Sequence, residues 1–168
     1  MIVAYADPPY PGQARKHYHA HADYGGEVDH RALLRQLTSD YEHWALSTAS
    51  TTLLEVLRLP ECPVDVRIGA WVKPFAAFKV GINPGYAWEP ILFRGGRKRA
   101  RKEDTVRDWV STPITLKRGV SGAKPDAFCF WLFALMGMRE GDELVDMYPG
   151  SGAVTRAWEK WQRQLWAA

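Results

Sequence analysis

Short apolar runs that end in turn residues alternate along this chain with stretches whose apolar positions recur at helical spacing. Ile2 to Ala6 is apolar and stops at Asp7-Pro8-Pro9-Tyr10-Pro11-Gly12. Proline cannot continue a sheet ladder, so the run reads as a buried strand ending in a rigid turn. Residues 28–37 place Val28, Ala32, Leu33 and Leu37 on one helical face, which predicts a helix. Trp44-Ala45-Leu46-Ser47-Thr48, residues 64–72 and residues 87–93 read as further strands, and 51–59 as a helix stopped by Pro60. Pro125 to Met138 is a strongly apolar helix that opens on proline, where the missing N–H costs nothing. Glu143 to Asp146 is a short strand leading into Gly150-Ser151-Gly152, and 153–165 is a last helix. Two stretches lack periodicity. Residues 13–26 are polar and rich in glycine and histidine and read as a mobile loop. Residues 94–122 read as a flexible basic insertion.

Strands alternating with helices predict an α/β sandwich with a mainly parallel sheet. In such sheets ligands sit outside the carboxyl ends of the strands. The Asp7 and Gly150 turns both follow strands directly, so both are expected at that edge. The length of 168 residues suits a single domain over 1–168, and no internal repeat is visible. The longest apolar run, 127–138, is too short for a membrane span, and no signal peptide is indicated. A soluble, cytoplasmic protein is expected. Net charge is only +3, but Arg94, Arg97, Lys98, Arg99, Arg101 and Lys102 form a run without an acid. This run follows a strand and is expected to contact phosphates near the site; its bland alternative is a solvated basic loop. Cys62 and Cys129 suggest neither a disulfide framework nor a zinc site.

The turn after the first strand offers specific chemistry. An exocyclic amine on an aromatic base is a poor nucleophile, because its lone pair is delocalised into the ring. A carboxylate and a carbonyl that accept its two hydrogens favour a pyramidal nitrogen. Asp7 supplies the first and the Pro8 carbonyl the second; Pro8 and Pro9 fix the geometry in advance. Tyr10 offers a face for a base taken out of its stack. Locally, a proline-rich turn with a capping aspartate weighs about as much. Asp146-Met147-Tyr148-Pro149-Gly150-Ser151-Gly152 lies between a strand and a helix, where glycines let backbone approach a ligand; alone it is weak. Lys124-Pro125 is by itself only a helix start.

Together these segments resemble the amino-methyltransferases of DNA. Asp7-Pro8-Pro9-Tyr10 is similar to their catalytic motif, in the form typical of adenine-N6 enzymes. Asp146 to Gly152 is similar to their cofactor loop, with Met147 and Tyr148 departing from it. Lys124-Pro125 matches the segment before that loop, and Glu89-Pro90-Ile91-Leu92-Phe93-Arg94-Gly95 is similar to a strand of the family. The resemblance implies a Rossmann-like methyltransferase three-layer sandwich in permuted order, catalytic motif before cofactor loop, truncated after the cofactor-loop helix. It implies S-adenosyl-L-methionine as cofactor, held by Asp7, Lys124, Asp146, Tyr148, Gly150, Ser151 and Gly152, and Asp7, Pro8, Pro9 and Tyr10 as catalytic residues. No metal is needed. The messenger-RNA adenosine methyltransferases also resemble the chain, through Lys124-Pro125-Asp126.

The acidic residue that holds the cofactor ribose in most of that family has no counterpart here; Arg156, Trp158 or a partner subunit are the candidates to replace it. The resemblance implies N6-adenine methylation of DNA, favoured over RNA. Alternatives are a cytosine-N4 or RNA adenine enzyme, or a non-catalytic nucleic-acid-binding subunit of a complex. A homodimer or a partner subunit is left open. His17, His19 and His21 read as part of a closing loop rather than a metal site. Trp88 is expected in the core, and Trp158, Trp161 and Trp166 in core packing or a subunit interface.

Overall fold

The computed structural model describes residues 1–12, 26–76, 80–115 and 123–166, with side chains to residue 164. Among these residues six strands and four helices follow one another as β1 (Ile2–Ala6), α1 (His30–Asp40), β2 (His43–Ser47), α2 (Leu53–Leu57), β3 (Arg67–Val72), β4 (Trp88–Arg94), β5 (Trp109–Ser111), α3 (Asp126–Met136), β6 (Glu143–Asp146) and α4 (Ala153–Trp166). They form one sheet in the order β5-β3-β4-β2-β1-β6.

Strand direction decides where the chemistry can gather. β1 is parallel to β2 and β6, and β3 to β5. β4 is antiparallel to both β2 and β3. Five strands therefore run one way and β4 alone runs back, so the mainly parallel sheet expected from the alternation is found. The carboxyl ends of β1, β2, β3 and β6 share one edge with the amino end of β4.

The period of two sorts the sheet residues onto two cores. Tyr5, Ala45, Trp71, Ile91 and Phe93 face α3 and α4. Ala4, Ala6, Trp44, Leu46 and Leu92 face α1 and α2, meeting Leu33, Leu34, Leu37 and Val56. Three layers result, with the Asp-Pro-Pro-Tyr turn preceding the Gly-Ser-Gly turn along the chain. Asp29 caps α1 by accepting from the N–H groups of Arg31 and Ala32. Gly137, left-handed at φ 69°, closes α3. That helix buries Phe128, Cys129, Trp131, Leu132, Phe133 and Met136, each large apolar side chain stabilising the fold by about 1.5 to 3 kcal/mol.

Within 94–122, residues 109–111 add an edge strand that apolar periodicity did not reveal; residues 116–122 lie outside the described part. Trp131 of α3 crosses β3 at Gly69 and donates from Nε1 to the carbonyl of Arg107 at 2.9 Å, which ties this segment to the core. Among the described residues no helix is long and apolar enough to cross a membrane.

Candidate active site

Register brings the two sequence motifs side by side. Tyr5 of β1 pairs with Asp146 of β6, and the Met147 N–H continues the ladder to the Tyr5 carbonyl at 2.9 Å. Asp7 thus emerges beside the Asp146 turn on the carboxyl edge, as expected. Pro8 is buried, Pro9 and Tyr10 half-buried.

Lys124 reaches this edge from the residue before Pro125 and is 6% exposed. Its ammonium lies 2.9 Å from Asp7 Oδ1 and 3.3 Å from Glu89 Oε2, and it donates to the Tyr10 hydroxyl at 3.4 Å. An ammonium has three N–H donors, so all three are engaged by protein. The expected pairing of Lys124 with a cofactor carboxylate would require breaking one of these contacts. The ammonium also lies 5.4 Å from the centre of the Trp71 ring and 5.8 Å from that of Phe128, close enough for the charge to be attracted to the aromatic faces.

Glu89 enters the sequence reading only as part of a strand similar to one of the family, not as a site residue. It stands at the start of β4, and because β4 runs backward this start lies on the same edge as Asp7. Its Oε2 accepts from the Tyr10 hydroxyl at 2.7 Å, and its Oε1 pairs with Lys73, the first residue after β3. A usable signal was present: a carboxylate directly before the apolar run Pro90 to Phe93, with a lysine preceding Pro74 at the end of the preceding strand.

The electrostatics follow from burial. Burial lifts the Asp7 carboxyl above its ordinary value, while the Lys124 ammonium pulls it down. Burial works against the charge on Lys124, but Asp7 and Glu89 outweigh it and keep the group protonated. Burial alone would raise Glu89, yet Lys124, Lys73 and the Tyr10 hydroxyl together hold it below the usual carboxylate range. Behind the site the Tyr5 hydroxyl and Ser47 Oγ are 2.7 Å apart, both fully buried. Trp71 Nε1 donates to the carbonyl of Thr112 at 2.9 Å.

The second half of the edge is the Asp146–Gly152 turn. Asp146 Oδ2 accepts from Thr155 Oγ1 of α4 at 3.0 Å, whereas the buried Oδ1 has no hydrogen bond of ordinary geometry among the described residues. Burial raises this carboxyl as well. Gly150 and Gly152 have φ of 45° and 69°, conformations that side chains resist. Tyr148 is half-buried and Ser151 exposed. Arg156 stands beside Gly152, where an added Cβ would come within 2.8 Å of its guanidinium. Trp158 is buried, its ring in edge contact with Phe133, so it packs the core rather than lining the edge; Trp161 also packs against Phe133. The side chain of Trp166 lies outside the described part, as do His17, His19 and His21.

Two expectations are corrected. The run Arg94 to Lys102 follows β4, and since β4 is reversed it emerges on the edge opposite the site. Arg94 pairs with Asp65 at 2.9 Å, Arg97 with Asp142 at 2.8 Å, and Arg99 donates to the carbonyl of Asp104 at 2.9 Å. Lys98, Arg101 and Lys102 are exposed. Trp88 is not in the core but 39% exposed at the rim of the site edge.

No protein-family model and no curated protein matches the chain. Among solved structures, the crystal structure of an M1.HpyAVI–SAM complex superposes with a TM-score of 0.60 at 13% identity, covering 94% of this chain and 77% of that one. A second crystal structure, of M1.HpyAVI, gives a TM-score of 0.59 at 16% identity, covering 95% and 76%. At these identities the likeness is one of fold: the chain shares a Rossmann-like α/β architecture with these structures.

Proposed function

We propose that this protein is an S-adenosylmethionine-dependent methyltransferase acting on the exocyclic amine of adenine in DNA. The observation that carries the reading is the placement of Asp7. It ends β1 in a rigid proline turn, ion-paired to buried Lys124, on the edge it shares with the Asp146–Gly152 turn. The fold likeness to a structure described as a SAM complex agrees with this reading.

The residues present fit the cofactor. Asp146 Oδ1 is a buried acceptor without a well-formed hydrogen bond among the described residues, and such atoms normally find a partner. The Gly150–Gly152 turn, with Ser151 between the glycines, exposes backbone at the start of α4. Asp146, Tyr148, Gly150, Ser151 and Gly152 would hold the group, with Arg156 beside them. When bound, it supplies a methyl group activated on a sulfonium.

The chain's own residues prepare the amine. Lys124 engages Asp7 Oδ1 and leaves Oδ2 to accept one hydrogen, while the Pro8 carbonyl accepts the other. The Lys124 ammonium opposes the upward push of burial on that carboxyl and so favours its charged, accepting form. Glu89 fixes the Tyr10 hydroxyl and so the attitude of the ring on which the base lies. Catalysis of this kind is positioning and electrostatics. A non-catalytic scaffold is disfavoured by the same cluster. Two carboxylates and an ammonium withdrawn from water are costly to assemble and stabilise a fold less than apolar packing would.

DNA is preferred over RNA, and adenine over cytosine, on the form of the two motifs. Lys98, Arg101 and Lys102 face away from this edge and would meet only phosphates that reach the far side. Transfer of labelled methyl from S-adenosylmethionine to unmethylated DNA, with nucleoside analysis, tests the reading: labelled N6-methyladenine supports it, and N4-methylcytosine or label on RNA alone redirects it.

A further inference from the structure

The loop between β3 and β4 builds a second feature on the site edge. It is closed at its base by the Lys73 N–H donating to the Ala87 carbonyl at 2.7 Å. Its second half, with Ser50 and Thr51 after β2, borders an open cleft of about 490 Å³. Ile82, Asn83, Tyr86 and Trp88 line it, and among the described residues no acidic side chain does. Trp88 and Tyr86 are 39% and 44% exposed. Aromatic rings of this size left in water around a concavity mark a ligand surface.

Strand geometry relates the cleft to Asp7. Successive residues of a strand point to opposite faces. Glu89 turns toward Lys124 and Tyr10 on the α3 side, so Trp88 turns to the other side of the same edge, toward α2. The cleft and the proposed amine site are thus back to back across the first residues of β4.

The geometry points to a binding site for a second nucleobase, the neighbour of the target base in the same strand. This inference rests on the proposed function. A strand drawn over the carboxyl edge would have its target base on the Asp7 side of β4 and the adjoining base splayed into the cleft. There Trp88 and Tyr86 provide stacking faces, and Ser50, Thr51 and Asn83 provide hydroxyl and amide groups for base edges. The lack of acids suits a polyanion. The site supplies recognition of sequence context on the site edge itself, where the basic run, on the far edge, cannot.

The test uses single-stranded hexadeoxynucleotides carrying one adenine, end-labelled for fluorescence anisotropy, with versions abasic on either side of the adenine. Base–aromatic stacking contributes on the order of ten-fold in affinity. Trp88→Ala is expected to weaken the intact oligonucleotide about ten-fold and to leave unchanged the version abasic at the contacted neighbour, because the two deletions remove the same contact. Thr51→Trp, which fills the cleft without removing packing, is expected to act alike and guards against a folding artefact. Unchanged binding of the intact oligonucleotide in both variants overturns the site, as does equal weakening of intact and abasic versions. Binding is read without turnover, so the two readings fail separately. Trp88-dependent binding without methyl transfer keeps the cleft and removes the function, whereas methyl transfer insensitive to both variants keeps the function and removes the cleft.

Discussion

Lys124 Nζ lies 2.9 Å from Asp7 Oδ1 although the two residues are 117 positions apart and the lysine side chain is only 5% exposed. The pair joins the end of β1 to the start of α3, and Glu89 closes it from β4. Removing the ammonium leaves two carboxylates facing each other out of water. Lys124→Met is therefore expected to destabilise the protein by about 3 to 5 kcal/mol, measured by urea unfolding. Adding Glu89→Gln should recover part of that loss, because it relieves a repulsion with Asp7 that the lysine no longer offsets. A double variant as unstable as the sum of the singles would contradict the cluster.

The same electrostatics set a pH profile. Asp7 must be ionised to accept a hydrogen, and burial places its carboxyl above the ordinary value of 3.8. Turnover should fall on acidification along a limb that begins above that value. Glu89 pushes Asp7 up, so Glu89→Gln should move the limb to lower pH. A limb that stays in place or moves upward would show that Asp7 does not govern it.

The opposite edge carries a separate structural contact. Asp142, with a side chain 4% exposed, accepts from Arg97 at 2.8 Å and pairs with the amino-terminal ammonium of Met1. Burial works against its charge, but these cations and the Arg139 N–H hold its carboxyl below 3.8. A depressed carboxyl gives stability that is complete above its ordinary value and is lost as pH falls through the lowered one. Asp142→Asn should therefore cost stability at neutral pH, with the gap to the parent closing below about pH 4. A gap constant with pH would rule out that linkage.

The cofactor turn has its own readout. Gly152→Ala places a Cβ at φ 69° and 2.8 Å from Arg156 Nη1. The arginine end can move aside, so the cost is mainly backbone, on the order of 1 kcal/mol. The variant should fold and yet bind S-adenosylmethionine at least several-fold more weakly by calorimetry. Unaltered affinity would remove the turn from the cofactor site.

Most of this architecture was legible along the chain because its strands are apolar runs cut off by proline or glycine and its helices are strongly patterned. β5 was not: Trp109-Val110-Ser111 is three residues long and exposes two of them, so its position comes from β3 and Trp131 rather than from its own pattern. Strand direction was not legible either, since an alternating run reads the same both ways. That one property moved the Arg94–Lys102 run to the far edge and brought Glu89 into the site. It also explains Trp88, whose apolar character suggested core but whose place at the leading end of a reversed strand exposes it. The partners of Glu89, at positions 10, 73 and 124, are too far apart in sequence for local reasoning to join.

The central claim is that Asp7 activates an exocyclic amine for methyl transfer. The most direct measurement incubates the protein and Asp7→Ala with isotopically labelled S-adenosylmethionine and unmethylated DNA, with mass analysis of the released nucleosides. The account predicts labelled N6-methyladenine from the parent protein and at least on the order of a hundred-fold less from a variant that still folds and still binds cofactor. Undiminished transfer by Asp7→Ala, or no labelled nucleoside from a cofactor-binding parent on any nucleic acid, would contradict it.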